Sequence, residues 1–221
     1  MPPFPDWCRR EQAGAAPAQR DTADSSSEGH FCEIAQALIC SRQNVSPKRL
    51  LAPGPSAMQV EGLLSAAAAA PDHGLLTPWR FVIVPPDKRA LLGEAFALAL
   101  TDRDPDATPE QIASAKEKAH RAPFLMLAIA RLGPDDSDLP EMERLVSLGC
   151  ALQNILLVAH AMGFGAGVTS GQAMSSPRLR DLFKLADGEQ PVCCINVGTV
   201  KQQKRTRAKP RAHPMEFTST L

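Results

Sequence analysis

The sequence predicts a sheet flanked by helices, and three observations lead to that fold class. Segments with apolar residues at helical spacing alternate with short runs of β-branched and other apolar residues. This alternation places strands between helices along most of the chain, which favours layers of helix packed on a sheet. The chain has 221 residues, of which 44% are hydrophobic, enough to build one sizeable core.

Capping residues mark where two of the predicted helices begin. Ser56 with Gln59, and Thr108 with Gln111, each form the pattern of a capping box, in which two side chains satisfy free backbone N–H groups. The first of these helices ends before Pro71, because proline lacks the N–H that a helix interior needs. The predicted helices cover residues 31–41, 56–70, 87–100, 109–121, 141–162 and 176–183.

Four apolar runs predict the strands. The run at 124–130, "FLMLAIA", is apolar throughout, which is typical of a central strand buried on both faces. The others are 80–84, a short strand within the glycine-rich stretch 163–171, and 191–200. Residues 42–56 are predicted to form a loop. Residues 1–30 are rich in Pro, Ala, Ser and charge and are expected to be a disordered extension, with 31–221 as the single folded domain.

Composition excludes several functional classes. Lys plus Arg and Asp plus Glu number 24 each, so no net charge attracts nucleic acid or an anionic membrane surface. The longest apolar run, 145–167, contains Gln153, Asn154 and His160, which indicates a buried helix and not a membrane span. The six cysteines show neither C-x-x-C pairs nor zinc spacing. We therefore expect reduced, buried thiols, no metal site and a cytoplasmic protein.

Two polar stretches in the first half of the chain could carry chemistry. In "SRQN", Arg42 could pair with a phosphate, and Gln43 and Asn44 could bind the polar edge of a ring. The same residues also suit a solvated helix C-terminus. In "PDHGLLTPW", His73 could offer its imidazole to a planar ligand. Alternatively, Asp72 and His73 serve only the turn.

Two further stretches lie in the second half. In residues 159–171, the glycines allow close approach of a flat ring, and Thr169 and Ser170 could supply hydrogen-bond donors. The alternative is a helix C-cap at Gly163 followed by a tight turn. The basic run "KRTRAKPR", 204–211, could close on a phosphate, although such runs are usually solvated tails.

Taken together, the blocks "SRQN", "AAAAAPDHGLLTPWRFVIV", "RAPFLMLAIA", "GCALQNILLVAHAMGFGAGVTSG" and "INVGT" resemble those of the nitroreductase family of flavoproteins. The resemblance covers nearly everything after about residue 31. It implies an α+β fold, an α/β/α sandwich whose central, mostly antiparallel sheet is flanked by helices. It also implies a homodimer with FMN bound between the subunits.

The resemblance assigns binding residues but no catalytic side chain. The family usually has Arg-Arg-Ser where this chain has Arg42, Gln43 and Asn44, so Arg205 or Arg207 is expected to help hold the FMN phosphate. The implied FMN contacts are Arg42, Gln43, Asn44, Ala69, His73, Val168, Thr169 and Ser170. The implied contacts to the nicotinamide nucleotide are Ala159, His160, Ala161, Met162, Gly163 and Phe164.

The activity implied by the resemblance is an FMN-dependent reduction. NAD(P)H would reduce the bound FMN, and a nitroaromatic or quinone-like small molecule would then be reduced in a ping-pong hydride mechanism. The departures at Gln43 and Asn44 keep open an FMN carrier or redox-sensing module without substantial turnover. A third possibility is a related flavin enzyme that carries out FMN fragmentation or reductive dehalogenation. Such an enzyme would need a lid over the flavin, and the charged helix 109–121 is the candidate. The simpler interpretation is that this helix is an ordinary surface helix.

Overall fold

The computed structural model describes residues 24–133, 139–201 and 211–221, with residues 24–28 described by their backbone alone. The chain divides into two units, residues 1–41 and 42–221, which are described separately. The first unit contains helix α1 (Asp24–Ser41), which begins before the predicted start at residue 31. Residues 1–23 of the predicted extension lie outside the described residues.

The second unit is built on a five-stranded sheet in which every pair of named strands is antiparallel. The strands are β1 (Leu50–Leu51), β2 (Trp79–Ile83), β3 (Phe124–Arg131), β4 (Gly165–Thr169) and β5 (Glu189–Val200). Strand β3 pairs with β2 on one side and with β5 on the other, and the long strand β5 also pairs with β4 and β1. The helices are α2 (Ala57–Ala68), α3 (Arg89–Arg103), α4 (Pro109–Glu117), α5 (Glu141–Ala161) and α6 (Pro177–Leu182).

Strand β3 lies at the centre of the core, as its unbroken apolar sequence predicts. Its residues from 124 to 130 are all buried. Met126 and Ala128 join a cluster formed with α2 and α5, while Leu125 and Leu127 join a second cluster formed with α3 and α6. Because alternate side chains of a strand point to opposite faces, β3 is covered by helices on both sides. The expected helix–sheet–helix sandwich is confirmed.

Local capping sets the helix starts as predicted. The Ser56 hydroxyl accepts a hydrogen bond from the Gln59 N–H, and the Ser56 N–H donates to the Gln59 side-chain oxygen. Thr108 and Gln111 form the same reciprocal pair. The prediction of a loop over residues 42–56 misses β1, a two-residue strand that pairs with the end of β5. No alternating pattern can mark so short a strand, because its pairing depends on the distant residues of β5.

Helix α5 is the one helix in the described ranges that is long and apolar enough, by length and composition, to cross a membrane. Core helices of soluble proteins pass the same test. Leu148, Ala151 and Ile155 of α5 are buried in the core, and the Asn154 amide donates a 3.0 Å hydrogen bond to the Ala66 carbonyl of α2. This packing is that of a core helix, as the sequence predicts.

Candidate functional site

A cavity of about 620 Å³ opens beside the C-terminal end of β4. Thr169, Ser170 and Gly171 line it, together with residues of α3, α4 and the 3-10 turn that follows α4. Leu125 of β3 and Cys194 of β5 also contribute to the lining. The volume falls within the range of small-molecule and cofactor sites.

Positive charge dominates the lining of this cavity. Arg103, Lys118 and Arg121 line it, and among the described residues no Asp or Glu does. Arg121 approaches Glu117 at 3.3 Å through Nη2, but its Nε is buried without a hydrogen-bond partner. Since a buried N–H without an acceptor is costly, the cavity favours a ligand that carries anionic or carbonyl oxygens.

A buried amide fixes the direction of the Thr169 hydroxyl. Asn196 of β5 is 1% exposed, and its Nδ2 donates to Thr169 Oγ1 at 3.1 Å and to the Cys194 carbonyl at 3.3 Å. Because Thr169 Oγ1 accepts this bond, its own proton is available for a ligand in the cavity. The Ser170 hydroxyl differs, since it donates at 2.8 Å to the Val192 carbonyl.

The predicted segment 42–44 is held against β4. Asn44 forms an isolated parallel bridge with Ala166, and the Val45 N–H donates to the Ala166 carbonyl at 2.9 Å. This contact needs glycine at position 167, because a Cβ there would overlap the Val45 carbonyl oxygen. Val168, also predicted to contact the cofactor, packs against the core and does not line the cavity.

Arg42, Gln43 and Asn44 do not line the cavity, whereas Ser46 two residues later does. The Arg42 Nε is buried without a hydrogen-bond partner in the part of the chain that the structure describes. An anionic group would supply the missing acceptor. Arg205 and Arg207, the other predicted phosphate contacts, lie outside the described residues.

Ala69 and His73 belong to a different part of the surface and do not line the cavity. Ala69 caps the C-terminus of α2, and His73 begins a 3-10 turn in which Gly74 has a φ of 71°. The Asp72 carboxylate accepts the Thr77 N–H at 2.6 Å. His73 is 72% exposed at its side chain, and its Nδ1 lies 2.9 Å from the Glu143 carboxylate on α5.

The predicted nicotinamide segment forms the end of α5 and the turn after it. The structure shows a helix C-cap at Gly163, which is the alternative interpretation given for this segment in the sequence analysis. Gly163 has a φ of 85°, its N–H donates to the His160 carbonyl, and the Phe164 N–H donates to the Ala159 carbonyl. This pair of bonds is the Schellman motif. None of the six residues from 159 to 164 lines the cavity.

The contribution of residues 109–121 to the cavity is not predicted by the sequence, which indicates only a candidate lid or an ordinary surface helix. In the structure, α4 ends at Glu117 and a 3-10 turn follows. Gln111, Ser114, Ala115 and Lys118 all line the cavity. Their spacing of three, one and three residues places them on one face of a helix. The pattern that could have predicted this lining is a helix face that combines small residues with one lysine. The overall charge of the helix does not reveal that face.

The comparisons with known proteins agree on one family. Residues 42–199 match the model of the nitroreductase family. A Haemophilus influenzae protein named "Putative NAD(P)H nitroreductase" is 32% identical over 165 residues, which cover 75% of this chain and 88% of that protein. The Escherichia coli K12 protein YdjA, named in the same way, is 29% identical over 76% of this chain and 90% of its own length.

Solved structures show the same fold. A nitroreductase-like family protein from Bacillus cereus matches with a TM-score of 0.70 and 19% identity, over 84% of this chain and 94% of that protein. The FMN-dependent nitroreductase NfnB from Mycobacterium smegmatis, solved in complex with NADPH, matches with a TM-score of 0.66 and 16% identity. That match covers 86% of this chain and 99% of NfnB.

Proposed function

This chain belongs to the nitroreductase family, and from that premise we propose that it is a cytoplasmic, FMN-dependent oxidoreductase that uses NAD(P)H. Its acceptors are nitroaromatic or quinone-like small molecules. The curated relatives are named for NAD(P)H-dependent nitro reduction, and one structural neighbour is an FMN-dependent enzyme solved with NADPH. These names support the proposal for this chain.

The observation that carries the proposal is the cationic cavity beside β4. FMN is a flat ring with polar edges, joined to a phosphate dianion. A cavity of about 620 Å³ lined by Arg103, Lys118 and Arg121 is large enough and positive enough for such a ligand. The buried Nε atoms of Arg42 and Arg121 still need acceptors, which FMN oxygens could provide. The residues present therefore fit the cofactor.

The protein groups at this site bind and orient a ligand. When bound, FMN supplies the redox chemistry, a hydride accepted from NAD(P)H and passed on to the acceptor in two separate half-reactions. Lys118 contributes a positive charge to the cavity, and Thr169 contributes a hydroxyl proton whose direction Asn196 fixes. Arg42, whose buried Nε has no hydrogen-bond partner, would pair with the phosphate. We assign no catalytic side chain, because the redox chemistry would be that of the cofactor.

We further propose that two copies of the chain complete the site. His73 does not line the cavity of its own protomer, and its surface carries exposed apolar side chains. These are Leu75 and Leu76 beside it and Met142, Leu145 and Val146 on α5, all at least 38% exposed. Burial of such a face favours a homodimer in which Ala69 and His73 serve the partner's cofactor.

The proposal is tested by two charge deletions with a matched control. Lys118→Ala and Arg42→Ala should each weaken FMN binding about tenfold or more, because each removes a charge-assisted hydrogen bond. Lys116→Ala is the control, since Lys116 lies two positions before Lys118, in the last turn of α4, but pairs with Glu94 at 2.6 Å and does not line the cavity. The measurement is the FMN dissociation constant from quenching of flavin fluorescence. Unchanged FMN binding in both variants would contradict the placement of the cofactor.

Turnover separates an enzyme from a flavin carrier or redox-sensing module. The enzyme should oxidise NADPH steadily while a nitroaromatic or quinone acceptor is present. A carrier or sensor would bind FMN without sustained NADPH oxidation. This assay uses the wild-type protein loaded with FMN, with the Lys118→Ala protein as the background.

A further inference from the structure

The contact between His73 and Glu143 has no evident role in stability. His73 Nδ1 lies 2.9 Å from Glu143 Oε2, and the two side chains are 72% and 51% exposed. Exposed pairs of this kind contribute little to folding, because solvent screens them and two side chains must be held in place. The two residues come from a turn and a helix that are 70 positions apart in the chain. A long-range contact at a proposed ligand residue suggests a role in orienting that residue.

The chemistry of the pair determines where the histidine carries its proton. An ionised carboxylate can only accept a hydrogen bond, so the ring nitrogen that faces Glu143 must carry hydrogen. That nitrogen is Nδ1. In the neutral imidazole the other nitrogen, Nε2, is then an acceptor. Glu143 thereby selects one of the two neutral forms of His73 and holds the ring in one orientation.

We propose that Glu143 is a positioning residue that presents His73 Nε2 as a hydrogen-bond acceptor to the FMN ring of the partner subunit. The proposal rests on the function and the dimer proposed above. Exposed Leu75 follows His73 by two residues, and exposed Met142 and Val146 lie close to Glu143 in the sequence of α5. Once a second copy covers these side chains, the pair is removed from water and its hydrogen bond becomes stronger.

The first test reads the proton position directly in the protein without FMN. In the ¹⁵N-histidine-labelled full-length chain, at a pH where the ring is neutral, the Nδ1 and Nε2 shifts of His73 should show the proton on Nδ1. The His73→Ala spectrum assigns the signals. Glu143→Ala should lose this preference, whereas Glu143→Gln should largely keep it because the amide oxygen still accepts. A wild-type ring protonated mainly on Nε2 would overturn the proposal.

The second test measures coupling through FMN affinity. Glu143→Ala and His73→Ala should each raise the FMN dissociation constant about three- to tenfold, the worth of one net hydrogen bond. The double variant should bind FMN no more weakly than His73→Ala does, because Glu143 acts only through the imidazole ring of His73. Glu141→Ala, in the same first turn of α5, is the control and should bind FMN normally.

The outcomes separate the two proposals. If the wild-type protein does not bind FMN, the proposed function fails, whatever the tautomer of His73. Suppose instead that the wild-type protein binds FMN. If the changes in FMN affinity caused by the Glu143 and His73 variants simply add, or if Glu143→Ala binds FMN normally, the proposed function stands and the positioning role of Glu143 is wrong.

Discussion

Gly167→Ala is the perturbation whose cost follows most directly from the structure. A Cβ at position 167 would overlap the Val45 carbonyl oxygen and lie 3.1 Å from Asn44 Oδ1. The neighbour is backbone, so it cannot rotate away as a side chain would. Either β4 or the segment around Asn44 must move, and the 2.9 Å bond from Val45 to Ala166 is then strained or lost.

The expected cost combines two effects. Overpacking in a close contact costs about 1–3 kcal/mol, and loss of one hydrogen bond adds about 1 kcal/mol. A total of about 2–4 kcal/mol lowers the Tm by roughly 5–15 °C for a chain of this size. Alternatively, the segment that carries Arg42 detaches, which spares the global stability but weakens FMN binding.

The assay therefore measures both quantities on the same sample. Thermal unfolding by circular dichroism gives the Tm, and fluorescence titration gives the FMN dissociation constant. Gly29→Ala is the matched control, because a Cβ there meets nothing within 4 Å. If Gly167→Ala matches the wild type in both Tm and FMN affinity, the contact between β4 and the segment at 42–45 is not as tight as the structure indicates.

Two further predictions concern buried titratable groups. The Arg80 guanidinium lowers the pKa of Glu189 from 4.5 to about 2, so the stability that this carboxylate contributes is present above pH 4.5 and is lost as the pH falls toward 2. Glu189→Gln should therefore be less stable than the wild type in urea unfolding at pH 7. If the difference in unfolding free energy between the two proteins does not narrow on acidification, this prediction is wrong. Burial raises the pKa of Cys193 to about 11 and of Cys194 to about 12. Peptide mass spectrometry after alkylation at pH 8 should therefore find both unmodified in the native protein and the exposed Cys40 modified. Because Cys194 also lines the cavity, labelling of Cys193 without denaturant is the result that would show that β5 opens.

The features that the sequence predicted are those encoded locally. The capping boxes at Ser56 and Thr108 need only residues three positions apart, and both form as expected. Strand β3 is recognisable because burial on both faces demands an apolar residue at every position. Gly163 likewise ends α5 in the left-handed conformation that glycine tolerates best.

The features that it missed depend on residues far apart in the chain. The strand β1 exists because Leu50 and Leu51 meet the end of β5. The cationic cavity joins Lys118 of one segment to Thr169 of another, and no spacing rule connects the two. The family resemblance predicts Thr169 and Ser170 as binding residues. The place of Lys118 and the arginines in the cavity follows only from the packing of the helices against the sheet.

The central claim is that this protein holds a reducible FMN, and one spectrum tests it. The purified protein, supplied with FMN and freed of excess by gel filtration, is placed under anaerobic conditions and treated with NADPH. We expect the visible absorption bands of oxidised flavin on the protein, and their loss when NADPH is added. Flavin bands that NADPH leaves unchanged would contradict the proposed reductase. A colourless protein that retains no FMN would show that the cavity beside β4 is not a flavin site.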